Sequence, residues 1–133
     1  MNAMVQCLKA LADENRLRIL MLLREREQCG FELMGVLGLS QPLVSSHLGV
    51  LRSAGLVEAR REGKRMRYSL TEVGREGGKR GIVNLVTAAL EGDPATARDL
   101  ERLRECEAFR KQAGTCDAAA VARFRRTEGK EQG

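Results

Sequence analysis

The chain has 133 residues, 43% hydrophobic and 31% charged, with no Trp and only 3% aromatics. That length suits one domain that buries a core without staples, and the composition excludes a disordered chain and favours packed helices over a large sheet. A formal charge of +5 directs attention to polyanions, so the location of the cations matters more than their number.

The first residues lack both a basic lead and a long apolar core, so no secretory leader is read there. The longest apolar run, Ile19 to Leu23, is far too short for a bilayer. A cytoplasmic location is expected, with Cys7, Cys29, Cys106 and Cys116 in a reducing compartment that favours ion binding or redox sensing over structural disulfides.

Met4, Val5, Leu8, Leu11 and Ala12 recur at helical spacing and predict a first helix. Asp13 suits the N-cap of a second, which turns Leu17, Leu20, Met21 and Leu23 inward and Arg16, Arg18 and Arg24 outward. Gln28-Cys29-Gly30 breaks it. Phe31 to Leu37 predicts a short helix stopped by Gly38 as a C′ glycine. Ser40 caps the next helix, with Pro42 in its first turn; Val44, Leu48 and Leu51 mark its buried face, and Gly55 closes it.

From Leu56 to Leu70 the period changes to two. Met66, Tyr68 and Leu70 alternate with Arg65, Arg67 and Ser69, and Val57 and Ala59 face them across a Glu62-Gly63-Lys64 turn. Thr71 suits the cap of a helix to about Leu90, glycine-heavy at first and apolar from Ile82 onward. Asp93-Pro94 restarts a helix that carries Leu100, Leu103, Cys106 and Phe109 and ends near Gly114. The fold class expected is mainly α (α+β), with a domain over residues 1–92 and a C-terminal helix and tail over residues 93–133.

The two helices between Phe31 and Arg52, joined by Gly38-Leu39-Ser40, make a helix-turn-helix unit whose second helix presents polar side chains. Gln41 suits adenine, Ser45 and Ser46 suit base edges or phosphate, and Arg52 suits phosphate. The hairpin that follows crowds Arg60, Arg61, Lys64, Arg65 and Arg67 onto one ribbon, a basic wing able to grip phosphates or enter a minor groove. Such a run alone is usually a solvated face; beside a reading helix it points to double-stranded DNA. His47, at the border of the buried stripe, fits local hydrogen bonding as well as DNA contact.

The stretches from Leu8 to Leu20, from Leu39 to Leu48 and from Leu51 to Val57, with the wing from Arg60 to Leu70, resemble the ArsR-type metalloregulatory repressors. The resemblance spans about residues 5 to 72 and implies a winged helix-turn-helix homodimer that leaves its operator when an inducer binds. The residues also lead toward a dimer. The first helix and the Ile82–Leu90 segment carry more apolar surface than one small core needs, and pairing two copies would set the reading helices one DNA turn apart. Dimerisation through N-terminal and C-terminal helices is expected, with Cys7 packed at the interface.

No cysteine pair has the spacing of a zinc site, and a single His excludes the His/carboxylate sites of the zinc-sensing branch. A thiolate site for a thiophilic ion remains. In arsenic-sensing relatives a Cys-x-Cys-acidic-Leu motif opens the first helix of the DNA-binding unit; here Cys29-Gly30-Phe31-Glu32-Leu33 keeps the first cysteine and replaces the second. The candidate ligands are therefore Cys106 and Cys116, with Cys29 third, and the expected inducer is trivalent arsenic, inorganic or organic, with no obligatory cofactor. A redox or persulfide sensor of the same fold is the alternative. A thiol enzyme such as an arsenate reductase is not expected, because no anion-cradling loop surrounds Cys29 and no Cys/His pair has credible spacing.

Overall fold

The computed structural model describes residues 1–71, 78–113 and 121–125. In chain order these form α1 (Asn2–Leu11), α2 (Glu14–Glu25), β1 (Gln28–Cys29), α3 (Gly30–Leu37), α4 (Gln41–Ser53), β2 (Val57–Glu62), β3 (Arg65–Leu70), α5 (Gly78–Leu90) and α6 (Pro94–Ala113), with a helical turn over residues 121–125. It is a winged helix-turn-helix, in agreement with the expectation from sequence.

The helix boundaries follow local chemistry. Asp13 Oδ1 accepts the Arg16 N–H at 3.1 Å and caps α2, and Ser40 Oγ accepts the Leu43 N–H at 3.4 Å and caps α4. Gly38 ends α3 at φ +70°, a left-handed conformation that only glycine takes without strain. Asp93 Oδ1 accepts the Ala95 N–H at 2.9 Å, and Pro94 opens α6. The start of the helix expected from Thr71 lies outside the described residues; the Thr71 hydroxyl donates to Gly55 O at 2.6 Å and ties the end of β3 to the end of α4.

One element differs from expectation. Gln28 and Cys29, expected as a helix break, form a third strand, paired antiparallel with β3 as Gln28↔Tyr68 and Cys29↔Arg67, so the sheet order is β1-β3-β2. Two residues carry no period, and tertiary contact decides the matter: Gln28 is fully buried and its Nε2 donates to Leu22 O at 2.7 Å. The helix after it then begins at Gly30, with Cys29 as N-cap and Glu32 closing a capping box.

All five residues from Ile19 to Leu23 are buried, a broader face than the expected stripe, because α6, β3, α3 and α4 all pack against α2. Leu33, Val36, Val44, Leu48, Leu51, Leu56 and Val57 complete the core, and Leu103 and Cys106 of α6 join the same cluster. A bidentate pair, Arg18 Nε and Nη2 to the buried Asp99 at 2.8 and 2.9 Å, fastens α6 to α2.

The expectation for α1 needs correction. Cys7, with Ala10 and Leu11, packs within the chain's own core, and Cys7 is fully buried inside a single protomer. The apolar residues turned outward are Met4, Val5 and Leu8, at 37%, 41% and 49% exposure, together with Leu85 of α5 at 72%. No single described helix is long and apolar enough to cross a membrane.

Candidate nucleic-acid interface and thiol chamber

α4 is the helix that combines one buried and one polar face. Val44, Leu48 and Leu51 are buried, while Gln41, Ser45, Ser46 and Arg52 are exposed. Leu43 and Val50 are exposed too, which the polar pattern does not single out; beside Gln41, Leu43 offers the apolar surface that suits a thymine methyl. His47 takes the other course open to it. Its side chain is 13% exposed, and Nδ1 lies 3.4 Å from Arg16 Nη1 and 3.9 Å from Asp13 Oδ1, in the joint between α2 and α4 rather than on the open face.

The wing has the register that the two-residue period implies, with Ala59↔Tyr68, Arg60↔Arg67 and Glu62↔Arg65. Gly63, at φ +63°, and Lys64 form a two-residue turn, and among the described residues no non-glycine residue has positive φ, so the turn is of type II′. The cations divide into two sets. Arg60 and Arg67 face each other and share Glu62, at 3.3 and 2.9 Å, and Arg60 also meets Glu27 at 2.7 Å. Arg61 and Lys64 are exposed at the tip, and Arg65 is half-buried beside them. Exposed pairs of the first kind contribute little stability, so those guanidiniums can exchange a carboxylate for a phosphate at small cost.

Between α3, α4 and the wing runs a groove of about 240 Å³ lined by Phe31, Met34, Gln41, Ser45, Lys64 and Tyr68 among others. Of the predicted DNA contacts, Gln41, Ser45, Lys64 and Arg65 border it.

Two of the three candidate thiols lie in the interior of the described chain. Cys29 and Cys106 are both buried, the first as the N-cap of α3 and the second in α6. Burial, then the negative charge of Glu32, then that of Cys29 push the Cys106 thiol up to about 11, against the opposing pull of Arg110 and Arg26. Glu32 is itself fully buried, and its carboxylate accepts from Arg26 at 2.7 Å and Arg110 at 3.1 Å. Arg26 reaches on to Glu107 at 2.5 Å. Cys116 lies outside the described residues. Among the described residues no three His, Cys, Asp or Glu side chains are grouped to hold a metal ion.

Sequence comparison fits this geometry. The sequence model of the bacterial regulatory protein, arsR family, matches residues 13–59. The HTH-type transcriptional repressor SmtB of Mycobacterium tuberculosis is 40% identical over 72 residues, 54% of this chain and 53% of that protein. The arsenical resistance operon repressor of Escherichia coli is 46% identical over 68 residues, 50% of this chain and 58% of that one. The chain thus spans about half the length of these curated relatives. A solved structure, the homodimeric winged helix-turn-helix DNA-binding domain Mb0332 of Mycobacterium bovis, superposes with a TM-score of 0.55 at 33% identity, covering 68% of this chain and 76% of that one. The matched stretch runs from the Asp13 cap through the turn and reading helix into β2, and the chain belongs to the arsR family of bacterial regulatory proteins.

Proposed function

We propose that this chain is a homodimeric, DNA-binding transcriptional repressor released from its operator by a thiophilic inducer, trivalent arsenic in inorganic or organic form. The observation that carries the DNA reading is the shared groove: the exposed polar face of α4 on one side and the cationic wing on the other. In this reading α4 enters the major groove with Gln41, Ser45 and Ser46 toward base edges, while Arg52 and the wing residues Arg60, Arg61, Lys64, Arg65 and Arg67 hold phosphates. The uncovered apolar residues of α1 and α5 supply the dimer contact, which agrees with the homodimeric state of the Mb0332 domain.

The inducer reading rests on the buried thiols of Cys29 and Cys106. Each As–OH exchanges with an S–H to give As–S and water, so no electron is transferred and the product carries no charge. That suits Cys106, which burial and Glu32 hold in the neutral form. Cys29 and Cys106 supply two sulfurs; Cys116, a hydroxyl or an organic group completes the three positions. Arsenic is also the theme of one relative, the arsenical resistance operon repressor of Escherichia coli.

The burial of both Cys29 and Cys106 in the described chain also admits a second reading, in which a persulfide or polysulfide oxidises the pair to a disulfide and is itself reduced to sulfide. Mass spectrometry separates them: arsenite treatment leaves an arsenic adduct on Cys106, whereas polysulfide gives a Cys29–Cys106 link that removes two hydrogens. A duplex enriched from random sequence by the protein, titrated by fluorescence anisotropy, tests the whole reading. Arsenite should weaken binding by the wild type and leave Cys106→Ser bound. Arsenite release that persists in Cys106→Ser would contradict the inducer site, and failure to enrich any duplex would contradict the repressor.

A further inference from the structure

The helical turn over residues 121–125 lies across α3 and touches both halves of the proposed device. Phe124 is 4% exposed, and its ring comes within 3.5 Å of the point where a Gly35 side chain would begin; Cys106 Sγ is 3.8 Å from the same point. Both lie at ordinary van der Waals distance from that point, so a Cβ would fit there but a longer side chain at 35 would run into the ring or the thiol. Phe109 packs tilted against Phe124 at 5.8 Å, and the Arg102 guanidinium sits 5.9 Å from the ring centre.

One residue further on, Arg125 Nη2 donates to Met34 O at 2.7 Å and to Leu39 O at 2.5 Å. Arg102 Nη2 donates to Gly35 O at 3.0 Å. These carbonyls belong to the C-terminal end of α3 and to the turn that leads into α4, where helix geometry leaves oxygens without intrahelical donors and the dipole favours cations. Met34 O also takes the Gly38 N–H at 2.9 Å, so Arg125 braces the bond that closes α3.

We propose that residues 121–125 form a clasp coupling Cys106 to the reading helix: a group bonded to Cys106 displaces the Phe124 ring, and the displaced segment withdraws Arg125 from the turn before α4. The clasp deepens the repressor reading, since it names how an event at the thiol reaches Gln41 and Ser45. Its mechanics need neither DNA nor arsenic, so they are tested without either. Arg125 is a positioning residue here. It acts on the reading helix through two backbone oxygens.

The test uses the full chain and N-ethylmaleimide, whose double bond adds the Cys106 S–H with the proton passing to the neighbouring carbon. Peptide mapping confirms the labelled residue, and hydrogen exchange is read at Gly38, whose N–H donates to Met34 O. Labelling of Cys106 should speed exchange there by about tenfold or more while the α2 amides keep their protection. Arg125→Gln should speed it in unlabelled protein, and Arg125→Lys, which keeps a cationic donor for the same carbonyls, should restore protection at least in part. Gly35→Leu, which raises the helix propensity of α3, should push out Phe124 and mimic the labelled state. Unchanged exchange at Gly38 after labelling, or in Arg125→Gln, would overturn the clasp whatever the protein does with DNA. Equal exchange in Arg125→Lys and Arg125→Gln would overturn the role given to that residue.

Discussion

Replacing Glu32 by Gln probes a buried carboxylate shared by two guanidiniums. The carboxylate is fully buried, accepts from two guanidiniums at 2.7 and 3.1 Å, and closes the capping box at Cys29. Removing one partner of a buried ion pair commonly costs about 3–5 kcal/mol, because the other charge is left uncompensated. Here the stranded partners are less trapped. Arg26 and Arg110 have side chains 29% and 32% exposed, Arg26 keeps Glu107, and Gln still offers an acceptor of the same shape. The loss should therefore fall below that range, at about 2 kcal/mol, equivalent to roughly 7 °C in Tm for a chain of this size. A second readout separates electrostatics from packing. Glu32 raises the Cys106 thiol while Arg26 and Arg110 lower it, so E32Q should bring that pKa down from about 11 and quicken alkylation of Cys106 at pH 8 severalfold. Denaturant melts and timed iodoacetamide labelling measure both. Stability unchanged within about 0.5 kcal/mol, or alkylation of Cys106 no faster, would refute the reasoning.

Asp99→Ala removes the buried half of the bidentate pair to Arg18 and should cost about 3 kcal/mol, read from urea midpoints at constant m. Leu85→Glu puts a charge into the exposed α5 surface; sedimentation should find a folded monomer where the wild type is a dimer, and a persistent dimer would move the interface elsewhere. Stability should also respond to alkali through Cys106. The folded thiol stays protonated to about 11 and the unfolded one ionises at 9.0, so the contribution is whole below 9.0 and is lost as pH rises toward 11. Cys106→Ala should flatten that fall between pH 9 and 11, and an unaltered slope would count against the chamber.

How much of this is legible in the sequence depends on the range of the interaction. Asp13, Ser40, Asp93 and Gly38 act within three or four residues, and each does what its chemistry predicts. The wing is equally plain, since Arg65, Arg67 and Ser69 alternate with Met66, Tyr68 and Leu70, and Gly63 supplies the turn. The apolar period of α1 shows a helix but not which side meets the core, so Cys7 is expected at the interface when Met4, Val5 and Leu8 hold the outward position. His47 has no orientation until Arg16 and Asp13 are known to stand against it. Long-range juxtapositions leave no local trace: β1 exists because β3 is beside it, and Cys106 comes up to Gly35 of α3 in a chain where Arg18 and Asp99 fasten α6 to α2. Phe124 and Arg125 follow an Ala-rich stretch, and nothing near them in sequence announces α3 as their neighbour in space.

The claim on which all else depends is that α4 and the wing hold duplex DNA between them, and the salt dependence of binding measures it. Affinity for the enriched duplex should fall steeply from 50 to 200 mM salt. Neutralising the exposed tip cations in Arg61→Gln/Lys64→Gln should lower the slope of log K against log salt by about two per protomer, one for each phosphate left without its cation. A slope near zero in the wild type, or one that the double substitution leaves as steep, would contradict the clamp.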